Sequence, residues 1–132
     1  MRILVDTNIL LSAMWFKDSR LARTLLYVAG NHELVLCDKN ISEMRDVIKR
    51  KTPEVLADAE VFLAELSYEL IPSVEEADKL IRDPKDQPIL NAAIVSGIDV
   101  ILTGDKDFLC LCLESPKTMT ISQFIEFVGV EL

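Results

Sequence analysis

Short apolar runs alternate along this chain with longer segments that have helical periodicity. The runs Ile3–Val5, Glu33–Cys37 and Asp99–Leu102 consist mainly of β-branched and aliphatic residues, which is typical of strands buried on both faces of a sheet. The segment after Ser19 instead places its apolar residues three and four positions apart, as one face of a helix requires. Strands that alternate with helices predict an α/β fold, a three-layer α/β/α sandwich with a mostly parallel central sheet.

Residues that begin or end helices divide the rest of the 132-residue chain. No internal repeat or linker interrupts it, so we expect one domain over residues 1–132. We expect a helix after Thr7 or Asn8, a helix from Ser19 to Gly30–Asn31, a helix capped by Asn40 that runs to about Lys51, a helix from Thr52–Pro53, a strand at Tyr68–Ile71, a short helix at Val74–Ile81, a buried apolar helix at Ile89–Val95, a turn at Lys106–Leu109, a strand at Met119–Ile121 and a helix capped by Ser122.

Four acidic residues lie where these strands end or where the following helices begin. They are Asp6 at the end of the first strand, Glu43 three residues after Asn40, Asp86 just before the apolar helix, and Asp105 three residues after the strand that ends at Leu102. Parallel strands joined by right-handed crossovers bring all such positions to one edge of the sheet. We therefore expect the four carboxylates to meet there.

Carboxylates gathered in this way repel one another unless cations compensate their charge. Their hard oxygen ligands suit Mg²⁺ or Mn²⁺, which bind through a few carboxylates together with substrate phosphate. Three of the acids also have ordinary structural explanations, since Glu43 with Asn40 fits a capping box, Asp86 fits a first helical turn and Asp105 fits a loop. Asp6 is harder to explain, because a carboxylate at the end of a buried strand costs free energy unless it is paired.

The charge distribution leaves nucleic acid open as a partner. The formal net charge is −8, but residues 52–83 hold nine acids against two bases, so the remainder has 13 acids and 12 bases. Most of the acidity thus belongs to one helical stretch.

Other features indicate an intracellular chain. Three cysteines, two of them at Cys110 and Cys112, make a poor disulfide framework and predict buried, reduced thiols. His32 follows Gly30-Asn31 and is expected at a surface turn. No signal sequence precedes the first strand and no apolar run reaches the ~18 residues of a membrane span, so we expect a cytoplasmic protein with no membrane partner.

Three segments resemble the PIN-domain nucleases, particularly the small prokaryotic toxins of toxin–antitoxin pairs. They are LVDTNILLSA at 4–13, ISEMRDVIKR at 41–50 and RDPKDQPILNAAIVSGIDVILTGDKDFL at 82–109, in the order and spacing of that family. The resemblance implies that Asp6, Asp86 and Asp105 hold the principal Mg²⁺ or Mn²⁺. It also implies that Glu43 positions a second ion or the attacking water.

The same resemblance assigns auxiliary residues. Asn8 would orient Asp6, Thr103 would supply a small hydroxyl two residues before the fourth acid, and Asp107 would be a further acid. Asp83 is the neighbouring alternative to Asp86, which we prefer because it directly precedes the apolar helix.

The implied activity is metal-dependent hydrolysis of RNA phosphodiester bonds, leaving a 5′-phosphate. Five bases could help to seat the RNA backbone, namely Lys39, Arg45, Lys49, Arg50 and Lys51. An antitoxin protein is an expected partner, to which the acidic stretch from Glu54 to Asp83 could offer a binding surface. A homodimer is common in the family. Two alternatives stay open, a PIN-like module that binds RNA or protein without catalysis, and a small phosphatase, which the absence of D-x-D-x-T after the first strand disfavours.

Overall fold

A five-stranded sheet with every strand parallel forms the centre of the molecule. The computed structural model describes residues 1–74, 86–111, 113 and 115–132. The strands are β1 (Arg2–Val5), β2 (Glu33–Cys37), β3 (Glu69–Ile71), β4 (Val100–Leu102) and β5 (Lys117–Met119). They are arranged in the order β3-β2-β1-β4-β5. The predicted parallel sheet is confirmed.

Seven helices in the described part of the chain surround the sheet. They are α1 (Thr7–Trp15), α2 (Arg20–Asn31), α3 (Asp38–Lys51), α4 (Leu56–Glu65), α5 (Gln87–Val95), α6 (Lys106–Leu109) and α7 (Ile121–Val128), with a 3₁₀ turn at Pro53–Val55 before α4. None of these described helices is long and apolar enough to cross a membrane.

Alternate residues of the strands enter two separate hydrophobic clusters. Ile3 and Val5 pack on one face of the sheet with apolar residues of α1 to α4 and α7, while Leu4 packs on the other face with α5 and Phe108 of α6. Because successive strand residues point to opposite faces, an apolar strand needs a helical layer on each side. The three-layer architecture follows from these two clusters.

Several predicted helix starts are wrong by a few residues. Asp6, not Thr7 or Asn8, is the N-cap residue of α1. α3 begins at Asp38 after Cys37, so Asn40 is its third residue and not its cap. Thr120, not Ser122, caps α7, because its hydroxyl accepts a hydrogen bond from the Gln123 N–H while the Gln123 side chain accepts one from the Thr120 N–H. The last strand accordingly ends at Met119.

Other predictions have mixed outcomes. Ser19 caps α2 as predicted, accepting a hydrogen bond from the Ala22 N–H at 3.1 Å. The helix α5 is buried through Ala93, but Ile94 and Val95 are exposed at its end. The predicted helix at Val74–Ile81 falls largely on residues outside the described ranges, and Val74 itself is not helical.

The predictions for cysteine and histidine are partly wrong. Cys37 is buried and Cys110 is exposed, neither is in a disulfide, and Cys112 lies outside the described residues. His32 is half-buried and makes edge contacts with the rings of Tyr27 and Phe124. It follows α2 directly, so the predicted position at a turn is correct, whereas the predicted exposure at the surface is only partial.

Candidate functional site

The carboxyl ends of β1 and β4 lie side by side at the point where the order of the sheet reverses. The chain leaves β1 toward β2 on one side, whereas β4 and then β5 lie on the other side. The backbone N–H of Asp6 donates to the carbonyl of Leu102 at 3.0 Å, which fixes the two strand ends together. Ligands of open α/β sheets bind at such a position. We call this side of the sheet the carboxyl edge.

Thr103 connects two of the predicted acids. Its side chain is fully buried, and its hydroxyl donates to Oδ2 of Asp6 at 2.8 Å. The hydroxyl oxygen of Thr103 in turn accepts a hydrogen bond from the backbone N–H of Asp105 at 2.9 Å. A single hydroxyl therefore orients the carboxylate of Asp6 and positions the backbone that carries Asp105.

Asp105 has a structural role as well as a place at the edge. It is the N-cap residue of α6, and its Oδ1 accepts a hydrogen bond from the backbone N–H of Asp107 at 2.8 Å. The ordinary explanation of Asp105 as a turn residue is thus correct. It leaves the second carboxylate oxygen for another use.

Glu43 is hydrogen-bonded to Thr7, which lies just after β1. Its Oε2 accepts a hydrogen bond from the hydroxyl of Thr7 at 3.1 Å. The capping-box interpretation of Glu43 with Asn40 is wrong, because α3 begins at Asp38 and places Glu43 in its second turn. The carboxylate is therefore not engaged with the end of its own helix.

Asp86 directly precedes α5 and is its N-cap residue, but its side chain makes no capping hydrogen bond. The ordinary explanation, an aspartate favoured by the helix dipole, therefore stays open, because it needs only this position and no capping bond. Asp83, the alternative at this position, lies outside the described residues.

All four predicted acids line one open cleft of about 470 Å³ at the carboxyl edge, which we call the acidic cleft. The residues that line it are Asp6, Thr7, Asn8, Glu43, Asp46, Val47, Arg50, Asp86 and Asp105. Thr103 is buried behind Asp6, and neither Thr103 nor Asp107 is among these lining residues.

Asp46 is a lining residue that sequence reasoning missed. It is exposed on α3, one turn after Glu43. Residues three apart on a helix share a face, so its spacing from Glu43 was a signal that could have found it.

Negative charge is unfavourable at Asp6. Burial is the main cause that raises the pKa of this carboxyl above its ordinary value, and the charges of Asp105 and Glu43 raise the pKa further. Hydrogen bonds from the Thr103 hydroxyl and the Thr7 backbone act in the opposite direction. A neighbouring cation would relieve the cost of keeping this carboxylate ionised.

The donor chemistry of the acidic cleft fits a hard divalent cation. Its ligand atoms are carboxylate oxygens, with an amide and hydroxyls beside them, and such oxygen donors suit Mg²⁺ or Mn²⁺. Within residues 1–74, 86–111, 113 and 115–132, no three acidic, histidine or cysteine side chains are close enough together to bind one metal ion as they stand. Carboxylates that face one another without a cation repel, so three of them would have to move toward one another to hold one ion.

Two arginines of α3 differ in their surroundings. Arg45 makes two hydrogen bonds, at 2.7 and 3.0 Å, to the two carboxylate oxygens of Glu60 on α4. Arg50, five residues later, lines the acidic cleft and has no ion pair among the described residues. Of the two, Arg50 is the one available to an anionic ligand.

Comparison with known proteins gives a family for the chain. A family model described as PIN domain matches residues 2–107, and no curated protein has a sequence that matches this chain.

Solved structures share the fold at low sequence identity. A structure of VapBC2 from Rickettsia felis bound to a DNA fragment from their promoter has a chain that is 16% identical, with a TM-score of 0.70 over 91% of this chain and 98% of that one. The Mycobacterium tuberculosis VapC20 structure, described as a sarcin-ricin loop cleaving toxin, is 11% identical, with a TM-score of 0.57 over 85% of this chain and 97% of that one.

Proposed function

The chain belongs to the PIN-domain family, and we propose that it is a metal-dependent endoribonuclease that acts as the toxin of a toxin–antitoxin pair. The observation that carries this proposal is the presence of Asp6, Glu43, Asp86 and Asp105 around one cleft at the carboxyl edge. One structural neighbour is itself described as a sarcin-ricin loop cleaving toxin, and the other is a chain of a VapBC2 structure.

In this proposal Asp6, Asp86 and Asp105 hold the principal Mg²⁺ or Mn²⁺, and Glu43 positions a second ion or the attacking water. When bound, the metal supplies Lewis-acid stabilisation of the charge that develops on the phosphate and activates water. Thr103 keeps the Asp6 carboxylate oriented toward this use through its 2.8 Å hydrogen bond. The predicted role of Asn8 in orienting Asp6 has no hydrogen bond behind it among the described residues, and Asn8, exposed in the cleft wall, would instead contact substrate or water. Asp107 would support Asp105 through its backbone N–H.

Arg50 is proposed to seat an RNA phosphate beside the acids. A guanidinium binds phosphate through two parallel hydrogen bonds, and Arg50 lies on the wall of the acidic cleft. The last turn of α3 also carries Lys49 and Lys51, both exposed. Arg45 is excluded from this role by its ion pair with Glu60.

The antitoxin is proposed to bind an apolar groove between α1, α2 and α4. This groove has a volume of about 250 Å³ and includes the exposed side chains of Leu26 and Val61. Asp58 and Glu65 lie in its lining on the α4 side, with Lys17 at the end of α1. A segment with apolar residues flanked by basic ones matches both the apolar floor and the acidic border.

Metal-dependent RNA cleavage by the purified chain tests the enzymatic proposal. We expect cleavage of RNA with Mg²⁺ or Mn²⁺, none with EDTA, and none by Asp6→Asn with either metal. Glu33→Gln is the matched control, because Glu33 pairs with Arg2 at the opposite edge of the sheet and its loss should leave cleavage intact. Metal binding without cleavage of a broad RNA panel would contradict the proposal and favour a binding module instead.

The partner proposal has a separate test. Expression of the chain should arrest growth, and co-expression of its antitoxin, sought as a small protein encoded by a short upstream open reading frame, should restore growth and form a complex that purifies intact. Val61→Asp should weaken that complex without reducing RNA cleavage, since Val61 lies in the apolar groove and not in the acidic cleft. An unchanged complex with Val61→Asp would rule out this groove as the docking site.

A further inference from the structure

We propose that Asn40 is a positioning residue that acts on Glu43 through the hydroxyl of Thr7. The inference rests on the proposed function, because it concerns how one carboxylate of the acidic cleft is held. Asn40 is fully buried and Thr7 is 5% exposed. An amide enclosed at this depth must satisfy both its donor and its acceptor groups within the protein.

The hydrogen bonds of Asn40 fix which way its amide points. Its Oδ1 accepts from the backbone N–H of Cys37 at 3.3 Å, at the end of β2. Its Nδ2 donates to the hydroxyl oxygen of Thr7 at 3.0 Å, just after β1. Because a backbone N–H can only donate, the amide oxygen must face Cys37, and the NH₂ group must then face Thr7.

This orientation determines where the hydrogen of Thr7 goes. The hydroxyl oxygen already accepts from Asn40, so its single hydrogen is donated to another group. Two acceptors are within reach, Oε2 of Glu43 at 3.1 Å and the backbone carbonyl of Asn40 at 3.5 Å. The shorter bond, to a carboxylate, is also the stronger one. The relay therefore runs from the Cys37 N–H through Asn40 and Thr7 to Glu43.

The relay leaves the second oxygen of Glu43 for the cleft. Among the described residues no hydrogen bond to Oε1 is found, whereas Oε2 is held by Thr7. The three participants join the ends of β1 and β2 to α3, so the carboxylate is fixed relative to Asp6. Outer hydrogen bonds of this kind orient the groups that contact metal and substrate.

The chemistry requires an asparagine at this position. An aspartate of the same shape could accept from the Cys37 N–H, but it would then also accept the Thr7 hydrogen that Glu43 needs. Asn40→Asp thus reverses the bond between residue 40 and Thr7 and breaks the bond from Thr7 to Glu43, while changing almost no volume.

The test compares wild type, Asn40→Asp, Thr7→Val and Thr7→Ser for RNA cleavage and for Mn²⁺ affinity measured by isothermal titration calorimetry. Asn40→Asp and Thr7→Val should lower kcat by about 10- to 100-fold and weaken Mn²⁺ binding by a similar factor, the range typical of outer-shell changes at metal sites. KM for RNA should stay near its wild-type value. Thr7→Ser keeps the hydroxyl and should restore both quantities.

Thr24→Val is the matched control for Thr7→Val. Thr24 is equally buried, but its hydroxyl donates to the backbone carbonyl of Arg20 within α2 and takes no part in the cleft. This variant should keep wild-type kcat and Mn²⁺ affinity. If Asn40→Asp does not fold, as judged by its thermal unfolding, the contrast between Thr7→Val and Thr7→Ser decides.

Each outcome separates the two proposals. Wild-type cleavage with unchanged kcat and Mn²⁺ affinity in folded Asn40→Asp or Thr7→Val overturns the positioning role and leaves the proposed function intact. If the wild type cleaves no RNA, but the two variants bind Mn²⁺ more weakly than the wild type and Thr7→Ser restores the affinity, the positioning role is supported and the nuclease is contradicted. A wild-type chain that binds no Mn²⁺ overturns both.

Discussion

Acidic residues lie at both ends of the parallel strands, at the carboxyl edge and at the amino edge where the strands begin. The groups that bind these acids differ between the two edges. At the amino edge, Arg2 at the start of β1 pairs with Glu33 at 3.1 Å and Glu69 at 2.5 Å, at the starts of β2 and β3. Asp99, just before β4, accepts a hydrogen bond from the Arg2 N–H at 2.8 Å. One guanidinium thus compensates the acids of β2 and β3, while Asp99 is held by a backbone N–H.

At the carboxyl edge three of the acids are held by hydroxyls and backbone N–H groups, and Arg50 on the cleft wall pairs with none of them. Asp6 is bonded to Thr103, Glu43 to Thr7, and Asp105 to a backbone N–H, and none of these three acids belongs to an ion pair of the described residues. Such bonds orient a carboxylate but do not neutralise it. The acids at the carboxyl edge are oriented but not neutralised, as in a site that binds a cation. Glu33 and Glu69 at the amino edge are neutralised, as in a purely structural ion pair.

Loss of the Thr103 hydroxyl should produce the largest effect among the variants that test this contrast. Thr103→Val removes the bond to Asp6 and leaves the Asp105 N–H without its acceptor. We expect RNA cleavage to fall by about 10- to 100-fold and the free energy of unfolding to fall by about 1–3 kcal/mol. Cleavage assays and urea unfolding measure the two effects, and Thr103→Ser should recover most of both. Wild-type cleavage by folded Thr103→Val would show that orientation of Asp6 is unimportant.

Cys37 tests how well the layer beneath the carboxyl edge excludes water. Burial raises the pKa of its thiol from 9.0 to about 11. Because the unfolded chain ionises first, the stability that this thiol contributes is fully present below pH 9 and is lost as the pH rises to 11. Between pH 8 and pH 10.5 the wild type should lose about 2 kcal/mol more than Cys37→Ala, given about 1.4 kcal/mol for each pKa unit. Urea unfolding at pH 8 and pH 10.5 measures the difference, and equal losses would mean that water reaches the thiol.

The sheet and the acids were predictable from sequence because both depend on simple periodic rules. Apolar runs identified β1, β2 and β4, and the handedness of crossovers placed Asp6, Glu43, Asp86 and Asp105 at one edge. Their presence around one cleft agrees with that prediction, while the role of each acid stays a proposal.

What could not be predicted depends on hydrogen bonds between residues far apart in the chain. Asn40 is a common capping residue, so it was assigned to the start of α3. In the fold its NH₂ group donates to the hydroxyl of Thr7, which lies 33 residues away. The ion pair of Arg45 with Glu60 was equally invisible, because it needs the packing of α3 against α4. No local pattern carries this information.

The two arginines of α3 test the same contrast between paired and unpaired charge, since Arg45 is paired with Glu60 and Arg50 has no ion pair among the described residues. Arg50→Ala should weaken RNA binding by about 5- to 10-fold and reduce the slope of log affinity against log salt by about 0.7, as expected for one phosphate contact to a single strand. Arg45→Ala is the matched control and should change neither, because its guanidinium is held by Glu60. Fluorescence anisotropy with labelled RNA in Ca²⁺ at several salt concentrations measures both. Equal effects of the two variants would place RNA elsewhere than in the acidic cleft.

The smallest effect is expected at the amino edge. Arg2→Met leaves Glu33 and Glu69 without their cation, but both carboxylates are more than half exposed, at 65% and 51%, so water and salt screen the loss. The free energy of unfolding should fall by about 1 kcal/mol at low salt, and by less at high salt, with RNA cleavage unchanged. Urea unfolding at two salt concentrations and a cleavage assay check this. A loss of cleavage would mean that charge at this edge reaches the acidic cleft across the length of β1, and the division between a structural edge and a binding edge would fail.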